Sequence, residues 1–481
     1  MPTVRLQSLD DYELDDRGAT FECRTTDHGA GETEYERTIP LRIQFPRADT
    51  CRLVLRPNPE VTEADTSPLG LASDEFAESV DLQTTVTDER VVLETAAIRF
   101  EFTRDTAEIR VSRPDSERVL FETTELTTDA RGHVETPSLG YTESQVDQWP
   151  VEVTETHLGL RLPPGERLVG LGEQFGDLDL RGQRVRTAVR QPNGVPDSDT
   201  YAPVPFYLSD RSYGVLADTP HDAVFDFGSD VPGVTQLTVE DSVLALTVFV
   251  GDDPTDVLSA YTDLTGRAPT LPPWTFGVWL SRNSYESASE VREVVEELRE
   301  RGFPFDVVHV DPEWMELETV DLTWDREAFP DPEAFLDELA SKDVHVSLWE
   351  YPYVKVGSDL FEEAVAEGDV RSDGSGRPYV FRRPSVGDTR AAVVDFRNPD
   401  AVSWWRDHHR RLIESGVDVF KTDFGEYAPD GTVTADGRTG RATHNTYPVE
   451  YQAAVAGAFD TSGGTDPDGD AGRTPVLWSR S

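Results

Sequence analysis

Phe420-Lys421-Thr422-Asp423-Phe424-Gly425-Glu426 completes a short run, Val417 to Phe420, that is apolar apart from Asp418 and follows a helical pattern stopping at Gly416. A β-prone stretch that ends in a polar, glycine-containing turn delivers its last side chains into the cleft at the carboxyl edge of a parallel sheet or barrel. Asp423 is there a candidate nucleophile or proton-transfer group, and Lys421, two residues earlier, points to the same face. By itself the stretch is explained more readily as an ion pair or a helix cap. The flanking segments have to decide.

Two rhythms divide the chain. Up to about residue 265 short alternating runs are separated by turn signals: Val91 to Glu94, Ile98 to Phe102, Ala107 to Val111, Leu158 to Leu162 and Leu237 to Val250. This spacing predicts an antiparallel β-sandwich over 1–265. Residues 266–273 hold a proline-rich linker, Arg267-Ala268-Pro269-Thr270-Leu271-Pro272-Pro273. From 274 to 481 strands alternate with helices. A strand over Phe276 to Leu280 leads to the capping box Ser287-Ala288-Ser289-Glu290, which opens a helix with Val291, Val294, Val295 and Leu298 on one face. Strands follow at Val307 to Asp311 and Val344 to Trp349, the second preceded by a helix around Phe335, Leu336 and Leu339. Asn398-Pro399 then caps a helix that turns Val402, Trp405, His409, Leu412 and Ile413 inward. Of His408 and His409 the first is expected at the surface. The Asp423 strand, a helix over about Pro448 to Phe459 and a final strand, Val476 to Ser481, complete the chain.

Regular alternation calls for parallel strands covered by helices, in an open doubly wound sheet or a closed barrel. Asp311, Trp349, Asp423 and Arg480 each fall at the carboxyl end of a different predicted strand, and a ring of such residues suits a (β/α)8 barrel. The chain supplies about five barrel strands, or six if Val393 to Phe396 is one. It is therefore expected to stop in mid-fold, as a protein truncated at its carboxyl end.

Bulk composition excludes several partners. The 481 residues carry 92 acidic and 44 basic side chains, a formal charge of −48 that repels nucleic acid and anionic membranes. Only Lys342, Lys355 and Lys421 are lysines. An acidic, lysine-poor surface fits a halophilic protein, because molar salt screens repulsion within about 3 Å. No signal peptide or membrane-length apolar run is visible, so a cytoplasmic protein is expected, and homo-oligomers are compatible with the sequence. Cys23 and Cys51 make neither a disulfide framework nor a metal site.

His309-Val310-Asp311-Pro312-Glu313-Trp314 repeats the pattern of apolar strand, carboxylate and aromatic ring. Carboxylates beside indoles suit sugars, since the acid accepts from hydroxyls while the ring covers an apolar sugar face. A core Trp beside a capping Asp explains the motif equally well, and the cluster Trp349-Glu350-Tyr351-Pro352-Tyr353 likewise divides between subsite and packing. Gly170-Leu171-Gly172-Glu173-Gln174-Phe175-Gly176 has the wrong spacing for a dinucleotide loop and lies in β territory. Asp466-Pro467-Asp468-Gly469-Asp470 lacks the glutamate of a calcium loop. No metal site or cofactor motif is found.

These motifs together resemble glycoside hydrolase family 31, on its α-xylosidase branch. The resemblance runs through Lys421 to Glu426, Gly170 to Phe175, Pro205-Phe206-Tyr207-Leu208-Ser209, His309 to Met315, Asp395-Phe396-Arg397-Asn398-Pro399, His444-Asn445 and Ser479-Arg480-Ser481. It implies a galactose-mutarotase-like sandwich before a (β/α)8 barrel that hydrolyses terminal α-xylosyl or α-glucosyl residues of oligosaccharides with retention and without cofactor. Asp423 resembles the nucleophile, Asp311 the carboxylate that binds sugar hydroxyls, Lys421 and Arg480 cationic contacts to sugar and nucleophile, and Trp349 a subsite wall. Three departures bear on sugar preference: Pro312-Glu313 after Asp311, Glu350 where many members carry a neutral residue, and the sandwich loop Arg190-Gln191-Pro192-Asn193-Gly194. A retaining glycosidase also needs an acid/base about 5 to 5.5 Å from the nucleophile. In the family it follows the Arg-Ser segment, so it is expected to be missing here. A non-catalytic sugar-binding or regulatory fragment, an α-transglucosidase and an α-glucan lyase share the same motif.

Overall fold

The computed structural model describes residues 3–27, 37–58, 78–116, 118–124, 127–128, 134–136, 139–144, 152–190, 200–316, 320–383, 389–459 and 476–480. Its two compact units, Met1–Arg267 and Ala268–Ser481, each have a core of their own. The loop after Arg190, the acidic run from Asp466 and Ser481 lie outside the described residues.

In the first unit alternation produces the predicted sandwich. Along Arg37–Arg47 every second residue, Ile39, Leu41, Ile43 and Phe45, is buried. That strand lies in a thirteen-stranded antiparallel sheet whose inner face meets a five-stranded meander running from Gln83–Val86 to Val119–Glu122. Phe21 of the large sheet stacks on Phe102 of the meander with ring centroids 4.6 Å apart. Two sheets closing over one apolar layer give each strand its inside and outside residues. Leu244–Val250 is buried on both faces, because the helix Pro254–Thr265 packs Val257, Ala260 and Leu264 on Phe206, Leu216 and Phe249. The run expected from Leu237 to Val250 is two strands, Val234–Val239 and Leu244–Val250, separated by the turn at Asp241 and Ser242.

The glycines at 170 and 172 have a backbone role. Leu168–Gly172 pairs antiparallel with Pro203–Ser209. A Cβ would lie 2.5 Å from the Phe206 carbonyl oxygen at Gly170 and 2.2 Å from that of Ala202 at Gly172, and both residues have positive φ. Only glycine allows this approach.

Burial drives the imidazole of His157 in this sandwich down to about 4. It sits 2.6 Å from Thr142 Oγ1 and 3.2 Å from Thr238 Oγ1. Because the folded value is depressed, stability is lost as pH falls from the ordinary histidine range toward 4, by up to about 3 kcal/mol. The melting midpoint of the parent chain should therefore drop more steeply over that window than that of His157→Gln. Parallel slopes would rule the effect out.

The second unit carries five parallel strands, side by side in chain order: β1 Trp279–Ser281, β2 Val307–Val310, β3 His345–Glu350, β4 Val419–Thr422 and β5 Leu477–Ser479. The sheet is rolled, since the indoles of Trp279 on β1 and Trp478 on β5 approach to 5.8 Å. It is five strands of a (β/α)8 barrel. β1 starts later than expected because Pro272 and Pro273 open a 3-10 turn over Pro273–Phe276. The crossover helices begin as their caps dictate. Ser287 accepts from the Glu290 amide ahead of Ala288–Glu300, and Glu290 reaches back to the Glu286 amide. Asn398 accepts from the Asp400 amide ahead of Pro399–Glu414.

Two expectations need correction. Val393 to Phe396 is not a barrel strand: Thr389–Val393 pairs antiparallel with Tyr353–Lys355 and Val380–Arg383 in an insertion after β3. Its apolar residues satisfy this small sheet, which packs Phe381 on Tyr353. Nor is His408 at the surface. Only 12% of its side chain is exposed, and burial pushes its imidazole down to about 4.

Candidate active site

β2 to β5 deliver their last side chains to one end of the rolled sheet. Asp311 follows β2, Trp349 is the penultimate residue of β3, Asp423 follows β4 and Arg480 follows β5. All five residues expected at the site are brought together, Lys421 included.

Asp423 is the hub. Its Oδ2 accepts a 2.8 Å hydrogen bond from the Trp349 indole, and its Oδ1 lies 3.4 Å from Arg480 Nε. Lys421 Nζ stands 3.9 Å from Asp423 Oδ2 and 3.8 Å from Asp311 Oδ2, so one ammonium bridges the two carboxylates. Without it the two carboxylates would repel each other with no charge between them. The parity argument for Lys421 and Asp423 therefore holds.

Backbone geometry fixes the hub further. The Asp423 amide donates to the Glu350 carbonyl at 2.9 Å, tying the end of β4 to the end of β3. Phe424 then adopts φ +60° and Gly425 +98°. A left-handed phenylalanine is strained, and strain of this kind collects at functional sites. Phe424 recovers contacts there: its ring lies 3.8 Å from the Arg480 guanidinium and 5.9 Å from the Tyr351 ring.

Further contacts complete the cluster. Glu426, nearly buried, receives a hydrogen bond from Arg480 and so anchors the guanidinium beside Asp423. His309 Nε2 meets Asp311 Oδ2 at 2.8 Å, and its Nδ1 meets Ser347 Oγ at 2.9 Å. Trp478 donates to the same Ser347 hydroxyl at 3.2 Å and lies under Lys421, whose Nζ is 4.9 Å from its ring. The signal was present as parity. His309 precedes Asp311 by two and Ser347 precedes Trp349 by two, so each shares its partner's face.

Glu350 stands apart from the cluster. Its side chain is completely buried behind β3, with Oε1 3.5 Å from His409 Nε2 of the covering helix, and so does not face a sugar. Alternation sends Trp349 and Glu350 to opposite faces. Of the other departures, Pro312 and Glu313 form a 3-10 turn that buries Trp314, whose indole donates to the Trp349 carbonyl at 2.9 Å. Asp395 and Arg371 lie in a buried network 4.0 Å apart, and His444 Nδ1 lies 3.0 Å from the Ala428 carbonyl. Among the described residues no group of acidic, histidine and cysteine side chains is arranged to hold a metal ion.

Comparison with known proteins agrees with this arrangement. Residues 268–481 match the glycosyl hydrolases family 31 TIM-barrel domain, and residues 40–226 match the glycosyl hydrolase 31 N-terminal galactose mutarotase-like domain. The chain is 34% identical over 346 residues to the α-xylosidase XylQ of Lactiplantibacillus pentosus, covering 71% of this chain and 44% of that protein. It is 34% identical over 302 residues to an α-xylosidase of Emericella nidulans, covering 62% and 38%. The chain thus spans less than half the length of these relatives. Its fold matches a Flavobacterium johnsoniae family 31 dextranase solved with glucose at a TM-score of 0.82 and 19% identity, over 99% of this chain and 55% of the dextranase. With a mutarotase-like sandwich, a family 31 barrel and a strand-end carboxylate cluster in one polypeptide, the chain belongs to glycoside hydrolase family 31.

Proposed function

We propose that the chain carries the nucleophile half of a retaining α-glycosidase acting on terminal α-xylosyl or α-glucosyl residues of oligosaccharides. The observation that supports this most is the hold on Asp423: an indole N–H on Oδ2, a guanidinium at Oδ1 and an ammonium shared with Asp311. Asp423 would attack the anomeric carbon as the glycosidic bond breaks, giving a covalent glycosyl ester that water later hydrolyses. Asp311 would accept from the sugar's hydroxyls and Trp349 would wall the subsite. The α-xylosidases among the relatives favour xylose. In this reading residues 274–481 carry the chemistry, 1–265 form the accessory sandwich and 266–273 link them. The acidic surface would serve solubility in concentrated salt within the cytoplasm.

An aryl α-xyloside with an activated leaving group tests the reading, since its phenolate departs without protonation. The expected result is a burst of about one phenolate per chain and a mass increase of one xylosyl group on the peptide containing Asp423. Sugar binding with neither burst nor adduct would favour a non-catalytic binding protein.

A further inference from the structure

We propose that a hydrogen-bonded relay, Trp478–Ser347–His309–Asp311, holds Asp311 in a single acceptor orientation and makes His309 a positioning residue for sugar recognition. The inference rests on the reading of Asp311 as the hydroxyl-binding carboxylate. Its geometry is independent of that reading.

Donor chemistry sets the direction of the relay. An indole N–H can only donate, so the 3.2 Å contact between Trp478 Nε1 and Ser347 Oγ makes the serine oxygen an acceptor. The serine keeps its own hydrogen, and His309 Nδ1 lies 2.9 Å away to receive it. His309 then carries its proton on Nε2 and donates it over 2.8 Å to Asp311 Oδ2. His309 and Ser347 are both fully buried, so water does not compete for the bond between them. The hydrogen bond on one ring nitrogen selects the tautomer at the other.

The consequence reaches the sugar site. Asp311 Oδ2 is shared by His309 and by Lys421 at 3.8 Å, which leaves Oδ1 as the acceptor for a sugar hydroxyl. Trp478 acts twice in this arrangement, since its N–H starts the relay while its ring carries Lys421. It also packs edge-on against His309, with ring centroids 5.1 Å apart. The relay thus runs from β5 through β3 to β2 and ties three strand ends to one carboxylate. A group held in its bound orientation loses less freedom when ligand arrives.

The test measures the His309 tautomer by two-bond 1H–15N correlation NMR on the full chain, together with the affinity for xylose and for glucose by calorimetry. The expected parent pattern is a proton on Nε2. Ser347→Ala leaves Asp311 to hold the Nε2 proton, so the tautomer should persist while the Nδ1 resonance moves toward that of an unbonded imidazole nitrogen, and binding of the preferred sugar should weaken roughly fivefold, the worth of one neutral hydrogen bond. Trp478→Phe keeps the ring under Lys421 and should move the Nδ1 resonance in the same direction with a smaller loss of affinity. A parent proton on Nδ1, or an Nδ1 resonance unchanged in both variants, overturns the relay. If neither sugar binds the parent chain while the Nδ1 resonance responds to both substitutions, the relay stands and the assignment of Asp311 to sugar binding falls. Should Ser347→Ala fail to fold, Trp478→Phe decides the question alone.

Discussion

Asp423→Ala is expected to erase the covalent glycosyl adduct and to reduce phenolate release from an activated aryl α-xyloside by roughly 10⁴-fold or more, the scale of losing a nucleophile. Three features make this the largest effect on chemistry. The Trp349 indole, Lys421 and Arg480 all converge on this carboxylate, so no other group in the cluster is held in the same way. The Asp423 amide is tied to the Glu350 carbonyl and the next residue is strained, so a neighbouring acid cannot swing into its place. Glu426, the nearest acid in sequence, is committed to Arg480. The alanine variant leaves a small space lined by two cations, into which azide fits. Azide attack on the anomeric carbon, with departure of the phenolate, should restore release and yield a glycosyl azide of inverted anomeric configuration. An alanine variant that retains near-normal turnover, or a rescued product of retained configuration, would remove Asp423 from the mechanism. Asp423→Asn provides a finer reading: its amide oxygen can still accept from Trp349, but it offers no anion between Lys421 and Arg480. Folding close to the parent with no adduct would then separate the charge from the shape.

The reach of sequence reasoning follows from which signals are periodic. Parity placed Lys421 with Asp423, and strand ends placed Asp311, Trp349 and Arg480 around them, because alternation and carboxyl-end position survive in a linear text. Side chains that meet across strands do not. Ser347 and Trp478 sit on strands more than a hundred residues apart in the chain, and nothing local links them until β3, β4 and β5 lie side by side. The same gap explains Val393 to Phe396. An apolar run looks alike in a barrel strand and in an antiparallel insertion, and only its partners, Tyr353–Lys355 and Val380–Arg383, distinguish them. Glu350 illustrates the same rule, since its parity against Trp349 assigns it to the face away from the cleft whatever its place in the motif. The left-handed Phe424 is invisible in sequence, although the Gly425 that follows it marks the turn.

Removing the imidazole behind the site should strongly destabilise the barrel unit. Glu350 and His409 are both fully buried, with Glu350 Oε1 and His409 Nε2 3.5 Å apart. His409 Nδ1 donates to the Trp405 carbonyl at 2.8 Å, because a carbonyl can only accept, and Nε2 is left facing the carboxylate. Burial first, and then Glu350 by charge and hydrogen bond, hold the Tyr451 hydroxyl well above its ordinary range, so this neighbour brings no positive charge to the carboxylate. His409→Leu therefore strands a carboxylate in the core and should cost about 3 to 5 kcal/mol. In a domain of this size that is a fall of roughly 10 °C in the melting midpoint. Glu350→Leu should cost less, since a neutral imidazole keeps its bond to Trp405 and leaves one buried nitrogen unpaired, about 1 to 3 kcal/mol. The double variant should recover most of the loss, because two leucines pack the same space with no charge to desolvate. Calorimetric midpoints of the four chains test this, and a double variant no more stable than His409→Leu would show that packing, not charge, sets the cost. The same four chains connect the core to the chemistry. The Glu350 carbonyl anchors the Asp423 amide whatever side chain stands at 350, so the double variant should still form the glycosyl adduct at close to the parent rate, whereas His409→Leu, with a solvent-seeking carboxylate beneath that anchor, should form it more slowly.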